Sequence, residues 1–74
     1  MDGGVMATLR LLINGERRDV PPVADLAALL AHLQLDPRTV VVERNREIVR
    51  RPALAATPVH EGDEIEIVHF VGGG

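Results

Sequence analysis

Four leucines recur at helical spacing in the first half of this chain and limit the folds that it can adopt: Leu26, Leu29, Leu30 and Leu33. Side chains at positions i, i+3, i+4 and i+7 lie on one face of an α-helix, and alanines, which favour helix, fill most of the positions between them. Asp25 precedes the stripe as a predicted N-cap, and the helix is expected to end before Asp36-Pro37. Such a stripe needs an apolar partner, which the rest of the chain has to supply.

The segments on both sides of this helix have strand patterns. Ile65 and Ile67 alternate with glutamates near the end of the chain, as in a strand with one buried face. Asn14-Gly15 is a strong hairpin signal, and Pro21-Pro22 ends the returning strand, which suits a sheet edge. The predicted strands are residues 8–13, 16–20, 39–44, 48–49 and 64–70.

Two further segments connect the later strands. Asn45 marks a turn, and Glu61-Gly62-Asp63 marks a second turn before the last strand. Residues 52–56 suggest a helical turn that points Leu54 inward.

The predicted order is β-β-α-β-β-β, which is the order of an α+β fold of the β-grasp, or ubiquitin-like, type. A helical crossover separates the two halves of the sheet, so the last strand is expected to lie centrally and to pair in parallel with the first. We expect one β-grasp domain over residues 6–71, a flexible leader over residues 1–5 and a flexible glycine tail over residues 72–74.

Composition excludes several kinds of chemistry. The 74 residues include no cysteine, so the chain has no disulfide, thiolate nucleophile or cysteine metal ligand, which fits the cytoplasm. All eight basic residues are arginine, which excludes a Schiff-base lysine. The net charge of −3 does not favour nucleic acid, and no apolar run reaches membrane-spanning length. No bound cofactor or metal site is expected, since the three histidines have no ligand-like spacing.

The glycine tail, Gly72-Gly73-Gly74, directly follows the last apolar strand. Glycines have no side chains to pack, but they are narrow enough to enter a channel in another protein. If the chain ends at Gly74, its carboxylate is the group delivered, and it is a weak electrophile until it is activated.

The outward face of the sheet is the predicted docking surface for a partner. If Ile65 and Ile67 face the helix, alternation places Val68 and Phe70 on the opposite face. Leu12 and Val41 are expected to share that face by the same alternation. Because Phe70 is the sole aromatic residue and precedes the tail closely, we expect an apolar patch of Leu12, Val41, Val68 and Phe70 to bind partners. The acidic residues of this region, namely Glu43, Glu47, Glu61, Asp63, Glu64 and Glu66, are expected to form a solvated face.

Two segments resemble the ThiS family, the sulfur carriers of thiamine biosynthesis. They are residues 42–49, which contain Glu43-Arg44-Asn45, and residues 62–74, which contain Val68-His69-Phe70-Val71 before the glycines. The resemblance extends from Met6 onward and implies a carrier rather than an enzyme. It implies that a ThiF-like enzyme uses ATP to adenylate the Gly74 carboxylate. Sulfur that originates in a cysteine desulfurase would then give a thiocarboxylate, from which a ThiG-like thiazole synthase takes the sulfur.

Three alternatives remain open at the level of the residues. The small subunit of molybdopterin synthase also presents a thiocarboxylate after two glycines. A ubiquitin-like modifier would be joined to lysines of other proteins, although this chain has no lysine through which to extend itself. The third alternative is an interaction domain whose tail has no chemical role.

Overall fold

The computed structural model describes residues 8–70. The predicted leader and the glycine tail lie outside these residues. The main elements are five strands and one α-helix. Two short 3-10 helices, Pro37–Thr39 and Arg51–Ala56, lie between them. The elements are β1 Leu9–Ile13, β2 Glu16–Val20, α1 Leu26–His32, β3 Val40–Arg44, β4 Glu47–Val49 and β5 Glu64–His69.

The five strands form one mixed sheet in the order β2-β1-β5-β3-β4. Strand β5 lies at the centre, pairs in parallel with β1 and pairs antiparallel with β3. The two hairpins, β1-β2 and β3-β4, place β2 and β4 at the edges. This topology confirms the predicted β-grasp arrangement, including the central and parallel position of the last strand.

Helix α1 packs its leucine stripe onto the sheet and forms the centre of the core. The Asp25 side chain accepts a hydrogen bond from the Ala28 N–H at 2.8 Å, which confirms the predicted N-cap. Leu26, Leu29 and Leu30 are buried, whereas Leu33 is the C-cap residue and is partly buried. The rest of the buried core is aliphatic: Leu11, Ile13, Val20, Val40, Val42, Leu54, Val59, Ile65 and Ile67.

Four predicted strand boundaries differ from the structure by one residue. Strand β4 begins at Glu47 rather than Ile48. Strand β1 begins at Leu9 rather than Thr8, and β3 begins at Val40 because Thr39 belongs to a 3-10 helix. The side chain of Asp36 caps that helix by accepting from the Arg38 N–H, a local hydrogen bond that competes with strand pairing. Strand β5 ends at His69 rather than Phe70.

Asn14 has a second role beyond the predicted hairpin turn. Its φ of 50° and the φ of 82° at Gly15 fit the turn. Its side-chain amide also donates to the Ile67 carbonyl at 3.1 Å and accepts from the Ile67 N–H at 2.7 Å. The amide therefore replaces a backbone partner for β5 at the point where β1 turns away, so that both polar groups of Ile67 are satisfied.

Candidate functional site

Strand β3 holds the end of β5 in place as far as Phe70, the last residue that the structure describes. His69 pairs with Val40, and the Phe70 N–H then donates to the Thr39 carbonyl at 2.9 Å. The backbone is thus anchored through Phe70 by a hydrogen bond that continues beyond the assigned strand. The predicted attachment residue Gly74, with Gly72 and Gly73, lies outside the described residues.

An apolar patch lies on the outward face of the sheet next to this anchor. Val68 and Phe70 are each 58% exposed. Val41 is partly exposed and stands directly opposite Val68 across the strand pair. Ile65 and Ile67 are buried on the other face, so the predicted alternation along β5 is confirmed.

Ile48 belongs to the same patch but was not among the predicted patch residues. It is 64% exposed and pairs with Glu43 in the β3-β4 hairpin, which places it on the outward face. Strand β4 has only three residues, so its sequence is too short for alternation to indicate which face Ile48 occupies. The apolar patch therefore consists of Val41, Ile48, Val68 and Phe70, and it is called the docking patch after its predicted role.

Leu12 shares the outward face but does not join the docking patch. Its partner across the parallel pair is Glu64, at the beginning of β5. Val68 lies four residues further along that strand, or about 13 Å at the usual rise per residue. The expectation that Leu12 is part of one patch beside the tail is wrong, because alternation gives the face of a residue and not its position along the strand.

The two ends of the outward face differ in charge. Glu43 and Glu66 stand directly opposite each other in the β3-β5 pair. Together with Glu64 and Arg46 they line a shallow depression, in which Arg46 and Glu64 form an exposed ion pair at 3.6 Å. The end of the face near the start of β5 thus carries an acidic band of Glu43, Glu64 and Glu66. The direct opposition of two like charges in this band destabilises the sheet.

A groove opens at the other end of the face, beside Phe70. Its walls combine apolar side chains with three arginines, and this surface is called the arginine groove. The residues that line it are Pro37, Arg38, Val40, Val41, Ile48, Val49, Arg50, Arg51, Pro52 and Phe70. The groove shares Val41, Ile48 and Phe70 with the docking patch, so the two surfaces are continuous.

Asp63 is buried, which corrects its predicted place on a solvated face. It is only 7% exposed and accepts hydrogen bonds from Arg44 Nε at 2.9 Å, Asn45 Nδ2 at 3.2 Å and the His60 N–H at 2.8 Å. Burial raises the pKa of Asp63, but the hydrogen bonds from His60, Asn45 and Arg44 outweigh that effect, and the pKa is lowered overall. The cluster ties the turn before β5 to the end of β3.

Asn45 also fixes the start of β5 directly. Its side-chain oxygen accepts from the Glu64 N–H at 3.0 Å, and its own N–H donates to the Glu64 carbonyl at 2.7 Å. The predicted turn at Asn45 is confirmed, with φ values of 51° at Asn45 and 73° at Arg46. Arg44 and Asn45 therefore set the register of the strand that leads to the tail.

We expect Asp63→Asn to lower the free energy of unfolding by about 1.5–3 kcal/mol near neutral pH, because it removes the charge that accepts three hydrogen bonds. The folded pKa of Asp63 lies below the unfolded value of about 3.9. The stabilisation is therefore present above pH of about 4 and is lost as pH falls through the folded pKa. Urea unfolding of both proteins over this pH range should show their difference narrowing in acid.

Asp36→Asn is the matched control for this prediction. The Arg38 side chain, and then the Arg38 N–H, lower the pKa of Asp36 through hydrogen bonds, but this ion pair is exposed. Exposed pairs contribute little to stability, so the control should unfold almost as the original protein does. A difference at Asp63 that stays constant from neutral to acid pH would contradict the assigned role of its charge.

Residues 8–70 show neither a candidate metal site nor a candidate membrane-spanning helix. Within residues 8–70, no three His, Asp or Glu side chains come together in a way that could hold a metal ion. The same part of the chain has no helix long and apolar enough to cross a membrane.

The mixed five-stranded sheet, the single main helix across it and the anchored end of the central strand define a β-grasp, or ubiquitin-like, domain. The chain belongs to the ThiS family, whose family model matches residues 5–74. It is 41% identical over 68 residues to the sulfur carrier protein ThiS of Bacillus subtilis, covering 86% of this chain and 98% of that protein. The crystal structure of thiamine biosynthesis protein ThiS from Geobacter metallireducens superimposes with a TM-score of 0.77 at 35% identity, covering 89% of this chain and all of the other.

Two longer relatives are thiazole synthases. The chain is 47% identical over 66 residues to the protein of Paramagnetospirillum magneticum and 39% identical over 66 residues to that of Magnetococcus marinus. In each case the match covers 89% of this chain and 20% of the relative. The chain therefore spans about one fifth of the length of these two relatives.

Proposed function

We propose that this chain is a sulfur carrier for synthesis of the thiazole ring of thiamine. The Gly74 carboxylate, if it is the free C-terminus, is the group that carries the sulfur, and Gly72 and Gly73 provide a narrow path into partner active sites. The observation that carries this proposal is the anchored end of β5. The Phe70 hydrogen bond to Thr39 at 2.9 Å and the exposed docking patch lie immediately before Val71-Gly72-Gly73-Gly74. A partner that binds the patch thereby lies next to Phe70, the anchored residue from which the chain continues into the tail.

Activation of the carboxylate is assigned to a partner. A ThiF-like enzyme transfers AMP from ATP to the Gly74 carboxylate with release of pyrophosphate. The terminal sulfur of a persulfide that originates in a cysteine desulfurase then displaces AMP to give an acyl disulfide, and a thiol reductant cleaves that disulfide to leave the thiocarboxylate. The carrier itself contains no cysteine and no lysine, so it lacks the side chains that most readily form covalent intermediates with such groups. In this proposal the chain is a co-substrate rather than an enzyme and needs no cofactor of its own. We propose the cytoplasm as the location of this chemistry, which fits its use of ATP.

The acceptor of the sulfur is a ThiG-like thiazole synthase. Support comes from the two relatives named thiazole synthase, in which the segment similar to this chain forms part of a longer single chain. Covalent connection raises the effective concentration of one domain near another and suits two parts that act together. These relatives, together with the ThiS of Bacillus subtilis, favour thiazole synthesis over the molybdopterin pathway and over protein modification.

The test is sulfur loading of the purified chain. The protein is incubated with ATP, a ThiF-like enzyme, a cysteine desulfurase with cysteine, and a thiol reductant such as dithiothreitol, and its intact mass is then measured. The expected result is the exchange of one oxygen for one sulfur at the C-terminus, with no exchange when ATP is omitted. Mass gain that maps to an internal residue, or no ATP-dependent gain, would overturn the proposal.

Docking-patch variants should weaken partner binding while leaving the fold nearly intact. Phe70→Ala removes the largest exposed side chain of the patch, and Val41→Asp places a charge at its centre opposite Val68. We expect each to reduce affinity for the adenylating enzyme or for thiazole synthase by about tenfold or more, as truncation of an interface anchor does. Titration calorimetry measures the affinity, and a melting curve checks the fold.

Leu12→Ala is the control for these variants, because Leu12 shares the outward face but lies near Glu64 instead of Val68. It should leave both affinities almost unchanged. Unchanged affinity of Phe70→Ala and Val41→Asp for both partners would remove the docking role of the patch.

A further inference from the structure

The arginine groove concentrates positive charge on a protein whose net charge is negative. Three of the eight arginines of the chain line it, namely Arg38, Arg50 and Arg51, although the net charge is −3. No carboxylate is among the described residues that line the groove. Folding therefore brings arginines from two separate segments to one surface beside Phe70.

The arginines of the groove differ in whether they already bind a carboxylate of the same chain. Arg38 is bound to Asp36, with Nη2 3.0 Å from Oδ2 and Nε 3.2 Å from Oδ1. The side chains of Arg50 and Arg51 are exposed and form no hydrogen bond or ion pair with any residue in the range 8–70. Two guanidinium groups are thus available to an anionic ligand at the rim of an apolar groove.

The walls indicate what kind of anion would fit. Val41, Ile48 and Phe70 give the groove an apolar surface that a small inorganic anion would leave exposed to water. An extended protein segment can cover these side chains and place carboxylates at the arginines together. The mixture of apolar walls and a basic rim therefore favours an acidic, partly apolar peptide over free phosphate.

We propose that the arginine groove receives an acidic segment of the partner that loads or unloads the tail, with an apolar side chain against Val41, Ile48 and Phe70 and carboxylates at Arg50 and Arg51. The identity of that partner rests on the proposed function, whereas the chemistry of the segment rests on the groove. The acidic band of Glu43, Glu64 and Glu66 lies at the opposite end of the same face. A partner with acidic groups toward the tail and basic groups toward the start of β5 is thus favoured, and the reversed orientation would set like charges against each other.

Charge reversal at the groove tests the proposal against a matched reversal elsewhere. The variant Arg50→Glu/Arg51→Glu is compared with Arg17→Glu/Arg18→Glu, which changes net charge equally on the exposed edge strand β2. We expect the groove variant to bind the adenylating enzyme or thiazole synthase at least about tenfold more weakly at low salt, with a smaller loss at high salt. The β2 variant should retain most of its affinity. Equal losses in both variants would show a bulk charge effect, and no loss in the groove variant would equally overturn the proposal.

A second measurement does not depend on the proposed function. An acetylated, amidated peptide Asp-Leu-Asp-Asp is titrated into the ¹⁵N-labelled protein, with Lys-Leu-Lys-Lys and inorganic phosphate as comparison ligands. Shifts centred on Ile48, Arg50, Arg51 and Phe70, specific to the acidic peptide and lost in the groove variant, are expected. Absent or scattered shifts, or equal shifts with the basic peptide or with phosphate, would overturn the groove assignment. If sulfur loading fails but the acidic peptide still produces these shifts, only the proposed function is overturned and the groove assignment stands.

Discussion

Deletion of Gly74 is expected to reduce sulfur loading of the chain by about a hundredfold or more. If Gly74 is the free C-terminus, the deletion moves the terminal carboxylate inward by one residue, about 3.3–3.6 Å in an extended chain. An adenylating site has to hold the carboxylate in a near-attack geometry, and a displacement of even about 1 Å from such a geometry can cost about two orders of magnitude in rate. The anchor at Phe70 strengthens this expectation, because the tail has a fixed origin from which to reach.

Gly73→Val provides the second half of this prediction. It keeps the length of the tail and the position of the carboxylate, but adds a branched side chain where a narrow channel accepts only backbone. Loading should fall strongly, whereas Gly4→Val, the same exchange in the predicted leader, should load at the original rate. Intact-mass time courses give the rates, and melting curves run in parallel. A chain without Gly74 that gains sulfur at the original rate would refute the carrier mechanism in this form.

The path of the chain could be predicted from its sequence because the signals are local. The alternation around Ile65, the Asn14-Gly15 turn and the leucine stripe each depend on neighbouring residues and on fixed periods of strand and helix. The helical crossover then restricts how β1 and β5 can pair. The fold class and the face occupied by Phe70 follow from these signals alone.

The features that the sequence did not indicate depend on residues far apart in the chain. Asp63 resembles any other turn carboxylate until Arg44 and Asn45 are brought to it from 19 and 18 residues away. The arginine groove similarly forms because the β3-β4 hairpin brings Arg38, which precedes β3, close to Arg51, which follows β4. Composition and periodicity do not indicate which distant residues come into contact. The burial of Asp63 and the placement of the arginines are therefore visible only in the structure.

The Glu43-Arg44-Asn45 segment shows how a family motif can act at a distance from the reacting group. Arg44 and Asn45 bind Asp63 at the turn that precedes β5, and Asn45 also pairs with Glu64 at its first residue. Strand β5 then runs to His69, and Phe70 and the tail follow it in the chain. This segment is one of the two that carry the resemblance to the ThiS family, and the structure gives a physical reason for Arg44 and Asn45, namely the register of the strand that leads to the tail.

Leu30→Ala is expected to lower the free energy of unfolding by about 2–5 kcal/mol, which is a large fraction of the stability of a domain this small. Leu30 is 1% exposed and lies in the leucine stripe between α1 and the sheet. Its removal loses apolar burial and leaves a cavity that the surrounding aliphatic side chains fill only partly. In a domain of this size, each 1 kcal/mol corresponds to about 4–8 °C in Tm, so the melting temperature should fall by about 8 °C or more.

Ile48→Ala is the matched control, since Ile48 is a similar aliphatic residue that is 64% exposed in the docking patch. It should change Tm little, because most of its surface already contacts water. A partner-binding assay should show the opposite order of effects, when it is run at a temperature where the Leu30→Ala variant remains folded. Ile48→Ala should then weaken partner binding, whereas Leu30→Ala should not. Equal loss of stability in the two variants would contradict the separation between the buried leucine stripe that holds the fold and the outward patch that is proposed to bind the partner.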